Sequence, residues 1–161
     1  MGAGKTSVMV EASDILRLRE IVHAAIDVDA LGVAYLPVSN GGDAAMYENL
    51  RAVCENYATR GVERFLVARA VEGFGDLMTC QNAVSATEMV VCRVVGSIET
   101  MERRVRIRET GVSQREYVAR VGKLNEILER AKLENFSVVN EDRSLSDVAI
   151  EMLVRAGWIS S

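Results

Sequence analysis

The chain has 161 residues, of which 49% are hydrophobic and 26% are charged, and its formal net charge is −4. This composition is ordinary for one globular domain, and the negative charge disfavours broad binding to nucleic acids or anionic membranes. Three cysteines without a CxxC spacing and a single histidine disfavour a zinc site. We therefore expect a cytoplasmic protein with reduced thiols that binds neither nucleic acid nor membranes.

Apolar periodicity and turn residues predict helices that alternate with short apolar strands along the chain. The predicted helices cover residues 6–20, 43–61, 76–86, 98–109, 113–133 and 144–158. The predicted strands cover residues 23–28, 62–71, 88–96 and 135–140. Alternation of this kind is typical of an α/β fold with a parallel sheet and helices on both faces, here as one domain over residues 1–161.

The first residues, "MGAGKTSV", match the second half of the phosphate-binding pattern G-x-x-x-x-G-K-[ST]. In that pattern Lys5 would reach the β- and γ-phosphates of ATP, and the hydroxyl of Thr6 would hold Mg²⁺. The backbone amides around Gly4 would bind phosphate oxygens at the start of the following helix. The alternative is a glycine-rich segment that binds no phosphate and carries a solvated lysine. The first glycine of the pattern and the strand that normally precedes it are not in the sequence.

Polar side chains follow each of the four predicted strands. These residues are Asp27 and Asp29, Arg69 and Glu72, Ser97 and Glu99, and Asn140 and Asp142. In open α/β sheets, ligands bind outside the carboxyl ends of the strands, so these residues predict one common site. If the first strand continued, Asp27 and Asp29 would point to one side, where one could act as a base and the other could hold a metal-bound water. The alternative is an ordinary turn that an aspartate caps.

A basic run, "ERRVRIRE", places Arg104 and Arg108 on one helix face. Arginines on a mobile helix could neutralise a phosphoryl group in transfer, and the following "TGVS" could act as a hinge. We therefore interpret residues 98–132 as a candidate lid. The alternative is an exposed helix whose arginines pair with Glu102 and Glu109.

The segments "GAGKTS", "IDVDALG", "IETMERRVRIRETG" and "VVNEDRSLSDVAIEMLVRAGW" together resemble the small-molecule, nucleoside and nucleotide kinases of the P-loop class. That class includes adenylate, shikimate, gluconate and adenylylsulfate kinases. The resemblance implies a three-layer sandwich, with ATP and Mg²⁺ as cofactors and a small-molecule acceptor as partner.

The resemblance also implies a role for each candidate residue. The ATP phosphates and Mg²⁺ would lie at Gly2, Ala3, Gly4, Lys5, Thr6 and Ser7, with Thr6 as the metal ligand. Asp27 would lie at the acceptor, with Asp29 and Arg69 as further acceptor-binding residues, and Arg104 and Arg108 would be lid arginines. The loop from Asn140 to Arg143 would lie near adenine, and either Glu72 or Asp27 would supply the second metal-binding carboxylate.

The family's sheet has five parallel strands with the first one central, whereas four are predicted here and the first is missing. Three explanations are open: the natural protein starts upstream, a partner chain donates a strand, or the remaining strands close the gap and activity is lost. Three functions are also open: an ATP-dependent phosphotransferase, a degenerate nucleotide-binding relative whose loop lacks its first half, and an interaction protein that self-associates, for example as a homodimer, through open sheet edges.

Overall fold

The computed structural model describes residues 1–34 and 42–160, and within these ranges the predicted alternation of helices and strands is confirmed. The helices are α1 (Lys5–Leu18), α2 (Val28–Leu31), α3 (Gly42–Ala58), α4 (Phe74–Val84), α5 (Ile98–Arg108), α6 (Gln114–Ala131) and α7 (Leu145–Arg155). The strands are β1 (Ala24–Asp27), β2 (Phe65–Ala68), β3 (Cys92–Val95) and β4 (Phe136–Val139). The loop predicted before α3 lies mostly outside the described residues.

The four strands form two parallel pairs, β1 with β2 and β3 with β4. Each strand has four residues, which is shorter than predicted. Single backbone bonds continue the pairing beyond the strands, for example from Asn140 N to Val95 O at 2.8 Å. The sequence pattern therefore marks the paired segments together with their flanking residues.

Side chains of β2 alternate between two helical layers, as expected for a sheet covered on both faces. Phe65 and Val67 pack against a core cluster that contains Leu50 of α3, whereas Leu66 packs against Val8 of α1 and its neighbours. The second layer consists of α1 and α7. The predicted parallel sheet with helices on both faces is confirmed.

The described residues include no strand between β2 and β3, and these two strands are not hydrogen-bonded to each other. Both nevertheless lie against the same helical layer, because Leu66 of β2 and Val94 of β3 contact the α1–α7 cluster. All four residues of β3 are half-buried rather than buried. The gap left by the missing strand therefore lies between β2 and β3, and these two strands do not pair across it.

The helices α5 and α6 pack against each other and against the start of the chain. Their cluster joins Met101 and Val105 of α5 and Val121 of α6 to Ala3. These two helices occupy the range predicted as a lid, and their packing places them against Ala3. Within the described ranges, no helix is long and apolar enough to cross a membrane.

Candidate functional site

Residues 2–7, which we call the phosphate loop, take a backbone conformation that requires glycine at two positions. Gly2 has φ +74° and Gly4 has φ +90°, both in the left-handed region. A Cβ atom on Gly4 would stand 2.3 Å from Nδ2 of Asn140, and one on Gly2 would stand 2.3 Å from the carbonyl oxygen of Met101. The two glycines therefore allow close approach of neighbouring chain segments as well as the turn.

The phosphate loop leads directly into α1, with Gly4 as its N-cap and no side chain capping the helix. The first helical hydrogen bond runs from Val8 N to Gly4 O at 2.9 Å. The amides of the preceding turn belong to Lys5, Thr6 and Ser7, and the helix geometry leaves them without helical partners. Uncapped amides at the positive end of a helix dipole bind anions such as phosphate.

Lys5 follows the N-cap and lies in a partly desolvated position near two carboxylates. Burial lowers the pKa of its ammonium group, while the charges of Asp29 and Asp27 oppose that change. Within the described ranges, neither carboxylate comes within 4 Å of Lys5 to form a salt bridge. A desolvated ammonium group without a close counter-ion favours binding of an incoming anion.

The hydroxyl of Thr6 donates a 2.7 Å hydrogen bond to Oδ2 of Asp27 at the end of β1. Oδ1 of the same carboxylate accepts from the amide of Asp29 at 3.1 Å, so Asp27 caps the short helix α2. The strand does not continue through Asp29, because the chain turns into a helix at Val28, and the alternative of a turn that an aspartate caps is the one found. The pairing of Asp27 with the phosphate loop was not predicted.

These oxygens are suited to Mg²⁺, which prefers hard oxygen ligands and often takes only one or two from protein when phosphates supply others. Thr6 and Asp27 present a hydroxyl and a carboxylate at hydrogen-bonding distance. Glu72, the other candidate carboxylate, pairs instead with Arg120 of α6 at 2.6 Å. Among the described residues, the donor set therefore favours Asp27 over Glu72 for the metal.

On the acceptor side of the predicted site, Arg69 at the end of β2 lies between two carboxylates. Its guanidinium is 3.0 Å from Asp29 and 3.8 Å from Asp76, and it stands 5.5 Å from the ring centroid of Tyr47. Tyr47 also donates a hydrogen bond to Asp76. Asp29 is 64% exposed whereas Arg69 is only 17% exposed, so Asp29 is the member of this network open to a ligand.

A small cavity lies beside the candidate site. It measures about 80 Å³ and is lined by Lys5 and Arg69 together with residues of β3 and α6. Its walls thus include one residue predicted at the phosphates and one predicted at the acceptor.

The two predicted lid arginines of α5, Arg104 and Arg108, lie in different environments. Nη1 of Arg104 is buried and has no hydrogen-bond partner among the described residues, and it lies 3.9 Å from where a Cβ on Gly4 would stand. Arg108 is 61% exposed and pairs with Glu109 at 2.7 Å, yet its charge contributes to the lowered pKa of Lys5. Arg104 therefore lies against the phosphate loop, and Arg108 lies at its margin.

In the loop after β4, which was predicted to lie near adenine, Asn140 and Arg143 have different environments. Asn140 is buried, and its Nδ2 donates to Ala3 O at 2.8 Å. Arg143 pairs with Glu151 of α7. Asn140 therefore supports the phosphate loop, whereas Arg143 lies on the side of α7.

Three residues near the site were not selected from the sequence: Tyr47, Asp76 and Glu141. Tyr47 and Asp76 belong to helices, where a periodic pattern indicates packing rather than chemistry. Glu141 directly follows a strand end, so its position in the chain was the available signal. Its carboxylate accepts hydrogen bonds from Ser97 and Thr100.

Comparison with solved structures finds kinases of the predicted class. Shikimate kinase from Acinetobacter baumannii in complex with shikimate aligns with a TM-score of 0.56 and 14% identity, over 99% of this chain and 91% of that chain. A gluconokinase from Sinorhizobium meliloti 1021 aligns with a TM-score of 0.56 and 20% identity, over 97% of this chain and 88% of that chain.

No family model matches the sequence, and no curated protein matches it. At identities of 14% and 20% the structural likeness concerns the fold, which extends over nearly the whole chain. The P-loop kinase fold predicted from the sequence is therefore confirmed.

Proposed function

We propose that this protein is an ATP-dependent phosphotransferase that acts on a small metabolite, nucleoside or nucleotide. The observation that carries the proposal is the phosphate loop itself: two left-handed glycines, an uncapped helix start and a desolvated lysine lie together. The fold shared with shikimate kinase and gluconokinase supports it.

In this proposal the loop amides and Lys5 bind the polyphosphate of ATP, and Thr6 and Asp27 hold Mg²⁺. Bound Mg²⁺ would neutralise charge on the phosphate oxygens. The acceptor hydroxyl oxygen attacks the γ-phosphorus while the bond to the β–γ bridging oxygen breaks and ADP leaves. Asp29 accepts the hydroxyl proton, since its exposed carboxylate lies beside Arg69 on the acceptor side. Arg104 stabilises the negative charge of the transferred group.

Replacement of the loop lysine tests the proposal directly. Lys5→Ala should weaken ATP binding by about 10- to 100-fold, because a hydrogen bond to a charged group contributes about 1.5–3 kcal/mol. Isothermal titration calorimetry with Mg-ATP measures the change. Lys123→Ala on the exposed side of α6 is the matched control. Equal affinity of the Lys5→Ala and wild-type proteins would contradict the proposal.

A nucleotide-binding protein without transfer activity is a second candidate. The observation that favours it is the interruption of the sheet between β2 and β3. This candidate and the kinase both bind ATP, so a coupled assay of ADP release over a panel of hydroxyl- and phosphate-bearing acceptors separates them. ADP release that depends on an acceptor supports the kinase, and its absence across the panel favours the second candidate.

A further inference from the structure

The loop between β4 and α7 touches two other parts of the candidate site through consecutive residues. Asn140 donates to Ala3 O in the phosphate loop at 2.8 Å, and its backbone amide donates to Val95 O of β3 at 2.8 Å. Glu141, the next residue, turns the other way toward the start of α5. The loop therefore joins the phosphate loop to α5.

The carboxylate of Glu141 holds the first turn of α5 through three hydrogen bonds. The amide of Ser97 donates to Oε2 at 2.8 Å, the hydroxyl of Ser97 donates to Oε1 at 2.6 Å, and the hydroxyl of Thr100 donates to Oε1 as well. Ser97 is also the N-cap of α5, since its hydroxyl oxygen accepts from the amide of Thr100 at 3.2 Å. Glu141 thus holds the N-cap residue Ser97 and the side chain of Thr100, about one turn further along α5.

The same helix carries Arg104, seven residues after Ser97 and therefore about two helical turns along the axis. The buried Nη1 of Arg104 lies next to Gly4 and has no hydrogen-bond partner within residues 1–34 and 42–160. Because an α-helix of this length moves as a rigid element, the position of its first turn determines where Arg104 lies. Among the described contacts, no hydrogen bond fixes the guanidinium of Arg104.

We propose that Glu141 is a positioning residue that places Arg104 against the phosphate loop by holding the first turn of α5. The inference rests on the proposed function for the identity of the anion that Arg104 meets. Glu141 acts on the position of Arg104 through α5, since two donors of Ser97 and the hydroxyl of Thr100 occupy its carboxylate. The charge of Arg104 also lowers the pKa of Glu141, so a variant that keeps the charge of Glu141 is needed beside one that removes it.

Chemical labelling of arginine in the ligand-free protein tests the inference. Glu141→Gln should raise the rate at which phenylglyoxal modifies Arg104 several-fold, measured by mass spectrometry, while exposed Arg103 reacts at an unchanged rate as the internal standard. Thr100→Val removes one donor without a change in charge and should act in the same direction. Glu102→Gln removes a carboxylate from the same helix and should have no effect. An unchanged rate at Arg104 in both Glu141→Gln and Thr100→Val would overturn the inference.

A double-mutant cycle on ATP affinity links the same residues to binding. Glu141→Gln should weaken ATP binding about tenfold in the wild-type background and have no effect in the Arg104→Gln background, as for residues coupled through one network. Equal effects in both backgrounds would show that Glu141 does not act through Arg104. If the wild type binds no ATP, the proposed function fails, and the labelling rates still decide the role of Glu141.

Discussion

Thr6 and Asp27 have a relationship that only the folded structure defines. They are 21 residues apart in sequence, and their side chains meet at 2.7 Å because the first turn of α1 lies beside the carboxyl end of β1. That contact places Asp27 beside the phosphate loop, whereas Asp29 lies beside Arg69. The proposed function therefore gives the two neighbouring aspartates different roles, one toward the metal and one toward the acceptor.

Glu141 provides a pH-dependent contribution to stability. Hydrogen bonds from Ser97 and Thr100 lower the pKa of its carboxyl group from 4.5 to about 2. A carboxyl whose pKa is lower in the folded state stabilises the protein above its unfolded value, and this stabilisation is lost as pH falls through the folded value. It should therefore be complete above pH 4.5 and disappear toward pH 2.

Urea denaturation at a series of pH values measures this contribution as the difference in free energy of unfolding between the wild type and Glu141→Gln. We expect a constant difference above pH 4.5 that shrinks as the pH approaches 2. The same series with Glu102→Gln provides the baseline for a carboxylate elsewhere on α5. If the difference in free energy of unfolding between Glu141→Gln and the wild type stayed the same from pH 4.5 to pH 2, it would contradict the lowered pKa of Glu141.

At the scale of elements, the start of α1 depends on one glycine. Gly4→Ala should destabilise the protein, because φ +90° is strained for alanine and its Cβ would stand 2.3 Å from the side chain of Asn140. The strain alone costs about 1–2 kcal/mol. Gly122→Ala lies inside α6, and its added Cβ would meet no described atom from outside the helix backbone within 4 Å, so it should instead stabilise by about 0.5–1 kcal/mol. Thermal unfolding of both variants measures the contrast, and a neutral Gly4→Ala would contradict the loop geometry.

Helix ends show what the sequence could and could not predict. Ser144 stands directly before an apolar helical run, which predicts an N-cap, and it does accept from the amide of Asp147 at 3.0 Å. Ser113 and Glu116 have the spacing of a capping box, which also predicts a cap, but Ser113 is in the helical conformation and its side chain makes no capping hydrogen bond. A local pattern determines a cap only when the preceding chain reaches the extended conformation that a cap requires.

The fold was more predictable than the site for a related reason. Alternating periodicity is a local property, so it identified the parallel strands and both helical layers. Contacts such as Glu141 with Thr100 or Tyr47 with Asp76 join residues far apart in sequence, and no spacing encodes them. Arg104 was selected from a basic run, but its burial against Gly4 depends on how α5 packs.

At the scale of the whole molecule, two ion pairs among the described residues connect the candidate lid to the body of the protein: Arg93 of β3 with Glu129 of α6 at 3.6 Å, and a closer pair at the loop after β2. Arg120 of α6 lies 2.6 Å from Glu72 in the loop after β2, with side chains 55% and 38% exposed. An exposed pair of this kind contributes only about 0–1 kcal/mol to stability. Its effect would therefore concern the position of α6 rather than the stability of the fold.

Removal of this pair tests whether α5 and α6 move as a lid. Arg120→Gln should leave thermal stability nearly unchanged and increase amide hydrogen exchange in α6 of the ligand-free protein. Arg130→Gln, which breaks the exposed pair with Glu126 on the same helix, is the control. If exchange in α6 were the same in Arg120→Gln as in the wild type, the ion pair would not hold the lid.

A crystal structure with a non-hydrolysable ATP analogue and Mg²⁺ tests the central claim most directly. We expect the polyphosphate on the amides of residues 2–7 and on Nζ of Lys5, with the metal beside the hydroxyl of Thr6. A nucleotide bound elsewhere, with the phosphate loop empty, would contradict the proposed kinase function.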